Sequence, residues 1–188
     1  MVAGFFAVVI VAIAVVLAFI PFGTAPHFAF PSVQSVNSAA GTSYSSQKLN
    51  TTVLSGSITP SLSVVRAEST NYTSGSNYIR ITIVLYNTSS EAQTAYDSIN
   101  SSIGELHSFL PTSHYVYSAY KSYRYAFIIL PHNSTISGFS SVLGFSFAVS
   151  HLGHYVYIVF SDFGGMNTAK LSNLVDLQTN TMTSGPLI

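Results

Sequence analysis

Cysteine is absent from this chain of 188 residues, and charged side chains are scarce. Without cysteine there are no disulfides, no thiolate metal sites and no cysteine nucleophile. Asp, Glu, Lys and Arg make up 6% of the residues, whereas soluble proteins usually carry roughly 25%. Six basic and six acidic side chains give a formal net charge of zero. A strongly basic face is therefore excluded, and we predict no nucleic-acid partner.

Polarity is supplied instead by Ser, Thr, Asn and 12 Tyr, and 48% of the residues are hydrophobic, which argues against disorder. Protonation of the six carboxylates and six histidines would raise the net charge only to +12. A domain of ordinary charge would suffer a larger swing and more self-repulsion, so this composition suits an acidic exterior. In composition the chain resembles cell-surface proteins of thermoacidophilic archaea, which implies an acid-exposed surface protein.

The first 22 residues contain a long apolar segment. Val2 to Phe22 has no charged and no strongly polar side chain, and as a helix its 21 residues would be roughly 31 Å long, the thickness of a bilayer core. We predict a transmembrane anchor at residues 1–22. A signal peptide cut after Ala25 or Ala29 is the main alternative, although neither position has a favourable cleavage context. A pilin-like N-terminus is the third, but the basic leader of that family is missing.

The orientation of this anchor is inferred from glycosylation sequons. The first charged side chain is Lys48, so the positive-inside rule gives no signal. Five N-x-[ST] sequons follow the anchor, and together they favour a C-terminal domain outside the cytoplasm. Their acceptor residues, our candidate glycosylation sites, are Asn50, Asn71, Asn87, Asn100 and Asn133.

Beyond the anchor we predict a Ser/Thr-rich stalk at 23–60, an α+β domain at 61–181 and a tail at 182–188. Residues Tyr78 to Tyr86 alternate apolar and polar side chains, which predicts a half-buried strand. Two residue pairs have capping-box spacing, Thr88 with Glu91 or Ser90 with Gln93, and Pro111 ends the helix that follows. A last helix is predicted to begin after Asn167.

The complete order is β-β-α-β-β-β-β-α, which favours an antiparallel sheet with two main helices packed on one face. The first helix carries one apolar stripe that we expect to be buried against the sheet. Its residues are Ala92, Tyr96, Ile99, Ile103, Leu106 and Leu110. A duplicated ββα unit is a further hypothesis. This order is similar to that of several secreted or lipid-anchored bacterial and archaeal domains, including sensor-type exterior domains.

Two histidines form a candidate metal site. His151 and His154 flank a predicted hairpin turn, where two imidazoles can share Zn²⁺ or Cu²⁺. A third ligand would have to come from His132 or Asp162. The alternative is an exposed turn with two polar side chains, and we expect this outcome because zinc sites use three or four protein ligands.

Tyrosines form a candidate interface on another predicted hairpin. Tyrosine combines a large contact area with one polar group, which suits interfaces and sugar stacking. The alternative is an aromatic sheet face covered by a helix. The residues concerned are Tyr115, Tyr117, Tyr120, Tyr123 and Tyr125.

The sequence predicts a single-pass protein of the cell membrane, with a non-enzymatic exterior module that binds or assembles with other envelope components. We predict no catalytic residues and no cofactor, and we expect the partners to be the membrane, through Val2–Phe22, and other envelope or membrane proteins. An accessory subunit of a membrane complex and a pilin-like filament subunit are the alternatives.

Overall fold

The computed structural model describes residues 26–50, 62–110, 113–120, 123–134, 143–162 and 165–184. These residues form three helices and seven strands, in an α+β arrangement. In chain order the elements are α1 (Val33–Ala40), β1 (Ser46–Asn50), β2 (Val64–Ser74), β3 (Asn77–Tyr86), α2 (Ser89–Phe109), β4 (His114–Tyr120), β5 (Tyr123–Ser134), β6 (Leu143–Leu152), β7 (Tyr155–Ser161) and α3 (Thr168–Thr183).

The strands form one antiparallel sheet in the order β1-β2-β3-β7-β6-β5-β4. The sequence therefore predicts the eight elements from β2 to α3 in the right order. Strand β5 extends to Ser134 and so continues past Pro131, although proline has no N–H for the ladder. The register with β6 shifts between Leu130 and Ser134, so the strand passes Pro131 in an irregular stretch of the ladder.

Helices cover both faces of the sheet, which corrects our expectation that they share one face. Helices α1 and α3 pack on the face that carries Ile79, Ile81 and Tyr157. Helix α2 packs on the opposite face, over Val84 and Ile158. The central strands β3 and β7 are apolar on both sides, so each face must be covered to remove those side chains from water. Because α2 and α3 lie on opposite faces, no simple two-fold rotation relates the two ββα units.

Helix α2 begins with the first of the two predicted capping boxes. The hydroxyl of Thr88 accepts a hydrogen bond from the backbone N–H of Glu91 at 3.1 Å, and the carboxylate of Glu91 accepts one from the N–H of Thr88 at 3.0 Å. These bonds satisfy two donors that a helix start leaves unpaired. Every member of the predicted stripe is buried, including Leu110 at its end, except Leu106, which is 38% exposed. Helix α3 begins as predicted, with Asn167 as its N-cap.

Residues 26–50 fall in the predicted stalk, yet they form α1 and β1 and contribute to the core. Val36 and Ala40 of α1 are fully buried beside α3, and β1 pairs with β2 along five residues. The side chain of Asn37 holds the loop between α1 and β1, because it bonds both the N–H and the C=O of Tyr44. The folded domain therefore extends on its N-terminal side to residue 26.

The predicted anchor, Val2–Phe22, lies outside the described residues. Within the ranges that the structure does describe, no helix combines the length and the apolar character needed to cross a membrane. Anchoring therefore remains a prediction from the sequence.

Candidate functional site

A row of three aromatic rings crosses β3, β7 and β6 at one end of the sheet. The rings of Tyr78 and Phe160 lie 5.6 Å apart between centroids, and those of Phe145 and Phe160 lie 6.3 Å apart and are nearly parallel. All three side chains are half-buried, so part of each ring faces solvent. We call this surface the aromatic platform. It spans three neighbouring strands, or roughly 10 Å across the sheet.

Polar groups border the platform on the β3 side. The guanidinium of Arg80 lies 5.7 Å from the centroid of the Tyr78 ring, and its Nε donates a hydrogen bond to the side-chain oxygen of Asn71 at 2.9 Å. Arg80 is exposed, so its remaining N–H groups can reach a ligand. Asp162, which follows β7, accepts a hydrogen bond from the N–H of Tyr78 at 2.6 Å and fixes that end of β3.

Helix α2 does not bury these three rings, although Phe145 packs against the edge of the apolar cluster beneath the helix. Helix α2 contacts β5, β6 and β7 more than β3, and its apolar face covers Val84 and Ile158 near the other end of the strands. Tyr78 and Phe160 are not part of that buried cluster. The sequence carries a signal for this surface, because Tyr78 and Arg80 occupy the polar side of the alternating β3 pattern. It carries none for the pairing of β3 with β7, which brings Phe160 alongside.

The acid–base properties near the platform are set by burial. Tyr44 is 3% exposed, and desolvation by burial, together with the nearby charge of Asp162, raises the pKa of its phenol to about 12. Among the described residues its hydroxyl has no hydrogen-bond partner. The phenol of Tyr44 therefore stays protonated at neutral pH, and its ring belongs to the core on the face of the sheet that α1 and α3 cover.

The predicted metal pair occupies the turn between β6 and β7. The Nε2 of His151 donates a hydrogen bond to the carbonyl of Gly153 at 2.7 Å, so a metal at this nitrogen would have to displace that bond. The backbone carbonyl of His154 accepts a hydrogen bond from the backbone N–H of Tyr86, and the side chain of His154 is exposed. Asp162 lies beyond the far end of β7, roughly 20 Å away at 3.3 Å per residue, which removes it as a third ligand.

The side chain of His132, the other proposed ligand, lies outside the described residues. In the described ranges no three His, Asp or Glu side chains come together in a way that could hold a metal ion. The metal site therefore remains a hypothesis with two ligands.

The predicted tyrosine interface lies on the β4–β5 hairpin, and β4 ends the sheet order. The register pairs Tyr115 with Ile128 and Tyr117 with Ala126, two residues buried beneath α2. Tyr120 pairs with Tyr123 at the end of the hairpin. Of the five tyrosines only Tyr125 has a described side chain, and it is half-buried and stacked on Phe127 at 5.9 Å. Tyr125 therefore contributes to the core on the α3 side.

The described sequons differ in accessibility. Asn87 is exposed in the link between β3 and α2. Asn71 lies within β2, is half-buried and is bonded to Arg80, and Asn100 is half-buried on α2. The side chains of Asn50 and Asn133 lie outside the described residues. Because a glycan needs a surface asparagine, Asn87 is the best placed of the three described candidates.

A second concavity lies between α1 and α3. It is a groove of about 500 Å³. Its lining is uncharged and combines short polar side chains with two apolar ones, namely Gln34, Ser35, Ser38, Ala39, Asn173 and Leu177. This groove was not predicted from the sequence, because α1 lies in the predicted stalk.

The fold of this chain is similar to that of a known extracellular domain, although its sequence matches no known family. No family model matches the chain, and no curated protein matches it. Among solved structures, the chain is similar to the extracellular domain of PknH from Mycobacterium tuberculosis, with a TM-score of 0.53 and 8% sequence identity. The match covers 85% of this chain and 98% of that domain. At this identity the likeness shows a shared fold, and that fold occurs in PknH as an extracellular domain.

Proposed function

We propose that this protein is a membrane-anchored extracytoplasmic binding module without catalytic activity, and that the aromatic platform is its binding surface. The observation that carries the proposal is the row formed by Tyr78, Phe160 and Phe145, whose side chains are half-buried, so that part of each ring is available to solvent. Exposed aromatic rows on a rigid sheet offer a large contact area at a small cost in conformational entropy. The extracellular occurrence of the fold in PknH is consistent with the same location here.

The ligand class we propose is a neutral polysaccharide of the cell envelope. Flat rings favour the apolar faces of sugar rings, and the N–H groups of Arg80 and the amide of Asn71 are suitable partners for hydroxyls. The chain has no net charge, and Arg80 lies in the same corner as Asp162. A strongly anionic polymer would find little electrostatic attraction there.

The test measures retention of the purified full-length chain, in mild detergent, by a panel of neutral polysaccharides and one anionic polysaccharide. Phe160→Leu and Tyr78→Leu keep an apolar side chain but remove the ring. We expect each to weaken binding to the neutral ligand at least about tenfold, which corresponds to about 1.4 kcal/mol.

The matched control is Phe109→Leu, which removes a ring that is 78% exposed at the end of α2, outside the platform. We expect it to bind like the unaltered chain. Equal losses in the control and the platform variants, or no retention by any neutral polysaccharide, would refute the proposed surface. If a stoichiometric membrane partner copurifies instead, the accessory-subunit alternative is favoured. If the purified chain forms polymers, the filament-subunit alternative is favoured.

A further inference from the structure

Residues 27–31, which follow shortly after the predicted anchor, are attached to the domain by four contacts. The backbone N–H of His27 donates to the carbonyl of Met182 at 3.1 Å, and the side-chain amide of Gln178 donates to the carbonyl of Ala29 at 2.9 Å. The hydroxyl of Tyr72 donates to the carbonyl of Pro31 at 2.7 Å. The ring of Phe28 meets that of Tyr155 edge-on at 5.5 Å. These contacts hold residues 27–31 against α3 and the sheet.

Little chain remains between this segment and the membrane. If the anchor ends at Phe22, four residue steps lead to Pro26, and a fully extended chain of that length spans at most about 14 Å. A domain tethered this closely cannot stand away from the bilayer, as it would on a stalk of 38 residues. Its end at Pro26 must lie close to the lipid headgroups.

The structure identifies which end of the sheet this is. The side chain of Pro26 lies 4.0 Å from the point where a Cβ on Gly153 would be, in the turn between β6 and β7. The C-terminus of α3 lies at the same end, because Met182 bonds His27. The β2–β3 turn at Gly75 lies at the opposite end of the sheet, about 30 Å away along ten residues of β3.

We propose that the end of the domain formed by Pro26, His27 and the Gly153–His154 turn rests on the lipid headgroup layer. This inference depends on the proposed anchor. Three side chains at this end can donate hydrogen bonds to lipid phosphates. His154 is exposed, His27 is half-buried, and Arg66, which stacks on the ring of Phe28, is half-exposed. The described carboxylates nearby are already engaged: Glu68 is buried against Arg66, and Glu91 caps α2.

The orientation places the aromatic platform away from the membrane. Tyr78 is the second residue of β3, and Phe160 is the last but one of β7, so both lie near the Gly75 end. At 3.3 Å per residue the platform is roughly 20 Å farther from the bilayer than the Gly153 turn. A ligand in the envelope can therefore reach it without contacting the lipid.

The absence of cysteine makes a direct test available. Single cysteines are introduced as His154→Cys and Ser76→Cys, both at exposed turn positions, and labelled with a fluorophore. The full-length chain is reconstituted in vesicles whose headgroups carry a spin-label quencher. We expect at least half of the fluorescence at position 154 to be quenched and little at position 76.

A control separates proximity from nonspecific adsorption. Insertion of a flexible segment of about 20 residues between Ala25 and Pro26 should relieve the quenching at position 154, because the short tether causes it. Equal quenching at both positions, or no effect of the insertion, would overturn the seated orientation while leaving the anchor intact. A chain that fails to float with the vesicles would overturn the anchor itself, whatever the polysaccharide test gives.

Discussion

The attachment of residues 26–32 can be tested by removing a single hydroxyl. Tyr72 is fully buried, and its hydroxyl donates a hydrogen bond of 2.7 Å to the carbonyl of Pro31, which is also buried. Burial raises the pKa of this phenol, so it remains a donor throughout the physiological range. Tyr72→Phe keeps the ring and its packing and deletes the donor. The carbonyl of Pro31 is then left in the core without this partner.

The expected loss follows from the asymmetry of buried hydrogen bonds. A buried acceptor deprived of its donor costs roughly 1–3 kcal/mol, more than the net value of a typical hydrogen bond. For a domain of this size each kcal/mol shifts the midpoint of thermal unfolding by about 2–4 °C. We therefore expect Tyr72→Phe to lower that midpoint by roughly 3–10 °C, measured by circular dichroism on the full-length chain in detergent.

Tyr44→Phe is the matched control, because it makes the same chemical change in the same core. The hydroxyl of Tyr44 is buried and has no hydrogen-bond partner in the part of the chain that the structure describes, so its removal leaves no acceptor there without a donor. We expect the midpoint to stay unchanged or to rise. If the two variants lose stability equally, or if Tyr72→Phe is neutral, residues 26–32 are not held as described and the tethering argument fails.

Four further predictions address local features. Glu91→Gln should destabilise the chain at neutral pH, because hydrogen bonds from Ser63 and then Thr88 hold the pKa of Glu91 below its usual value. The lowered pKa of Glu91 stabilises the folded chain at pH values above the unfolded pKa, and this stabilisation is lost as the pH falls through the folded pKa. The melting curves of the variant and the unaltered chain should therefore converge once the pH is below that folded pKa. With only six carboxylates, the unaltered chain should keep its circular dichroism spectrum below about pH 4, and cooperative unfolding between about pH 4 and 5 would contradict this. Gly75→Ala should cost about 1 kcal/mol in denaturant titrations, since φ is +61° and an added Cβ meets no atom; a neutral result would refute the strain. Calorimetric titration with Zn²⁺ should detect no binding at micromolar level, and His151→Ala should not change this; tight one-to-one binding would reveal a missed third ligand.

The sequence predicts local elements well because their signals are local. Alternation along β3 and the capping box of Thr88 and Glu91 each lie within a dozen residues. The asparagine at position 167 marks the start of α3 in the same way. Such patterns reflect the backbone's own preferences, so they persist in the folded domain.

Features that depend on distant pairing are not predictable in this way. The segment at 26–50 has a composition typical of a stalk, and α1 is stabilised mainly by the burial of Val36 and Ala40 against α3. Likewise the aromatic platform requires β3 to pair with β7, which is about 80 residues away in the chain. Neither the packing of α1 on α3 nor the pairing of β3 with β7 produces a pattern in the local sequence. Which helix covers which face of the sheet also depends on contacts between distant segments.

The most direct test of an anchored exterior domain is the labelling of one introduced cysteine on intact cells. Ser98 is exposed on α2, and Ser98→Cys would be the only thiol in the chain. We expect a membrane-impermeant maleimide to label this position fully before lysis, and the labelled chain to stay with the membranes after alkaline extraction. Labelling that appears only after lysis would contradict the exterior location. Release into the extract, with a mature chain beginning near Pro26 or Phe30, would show that the apolar segment is a cleaved signal peptide.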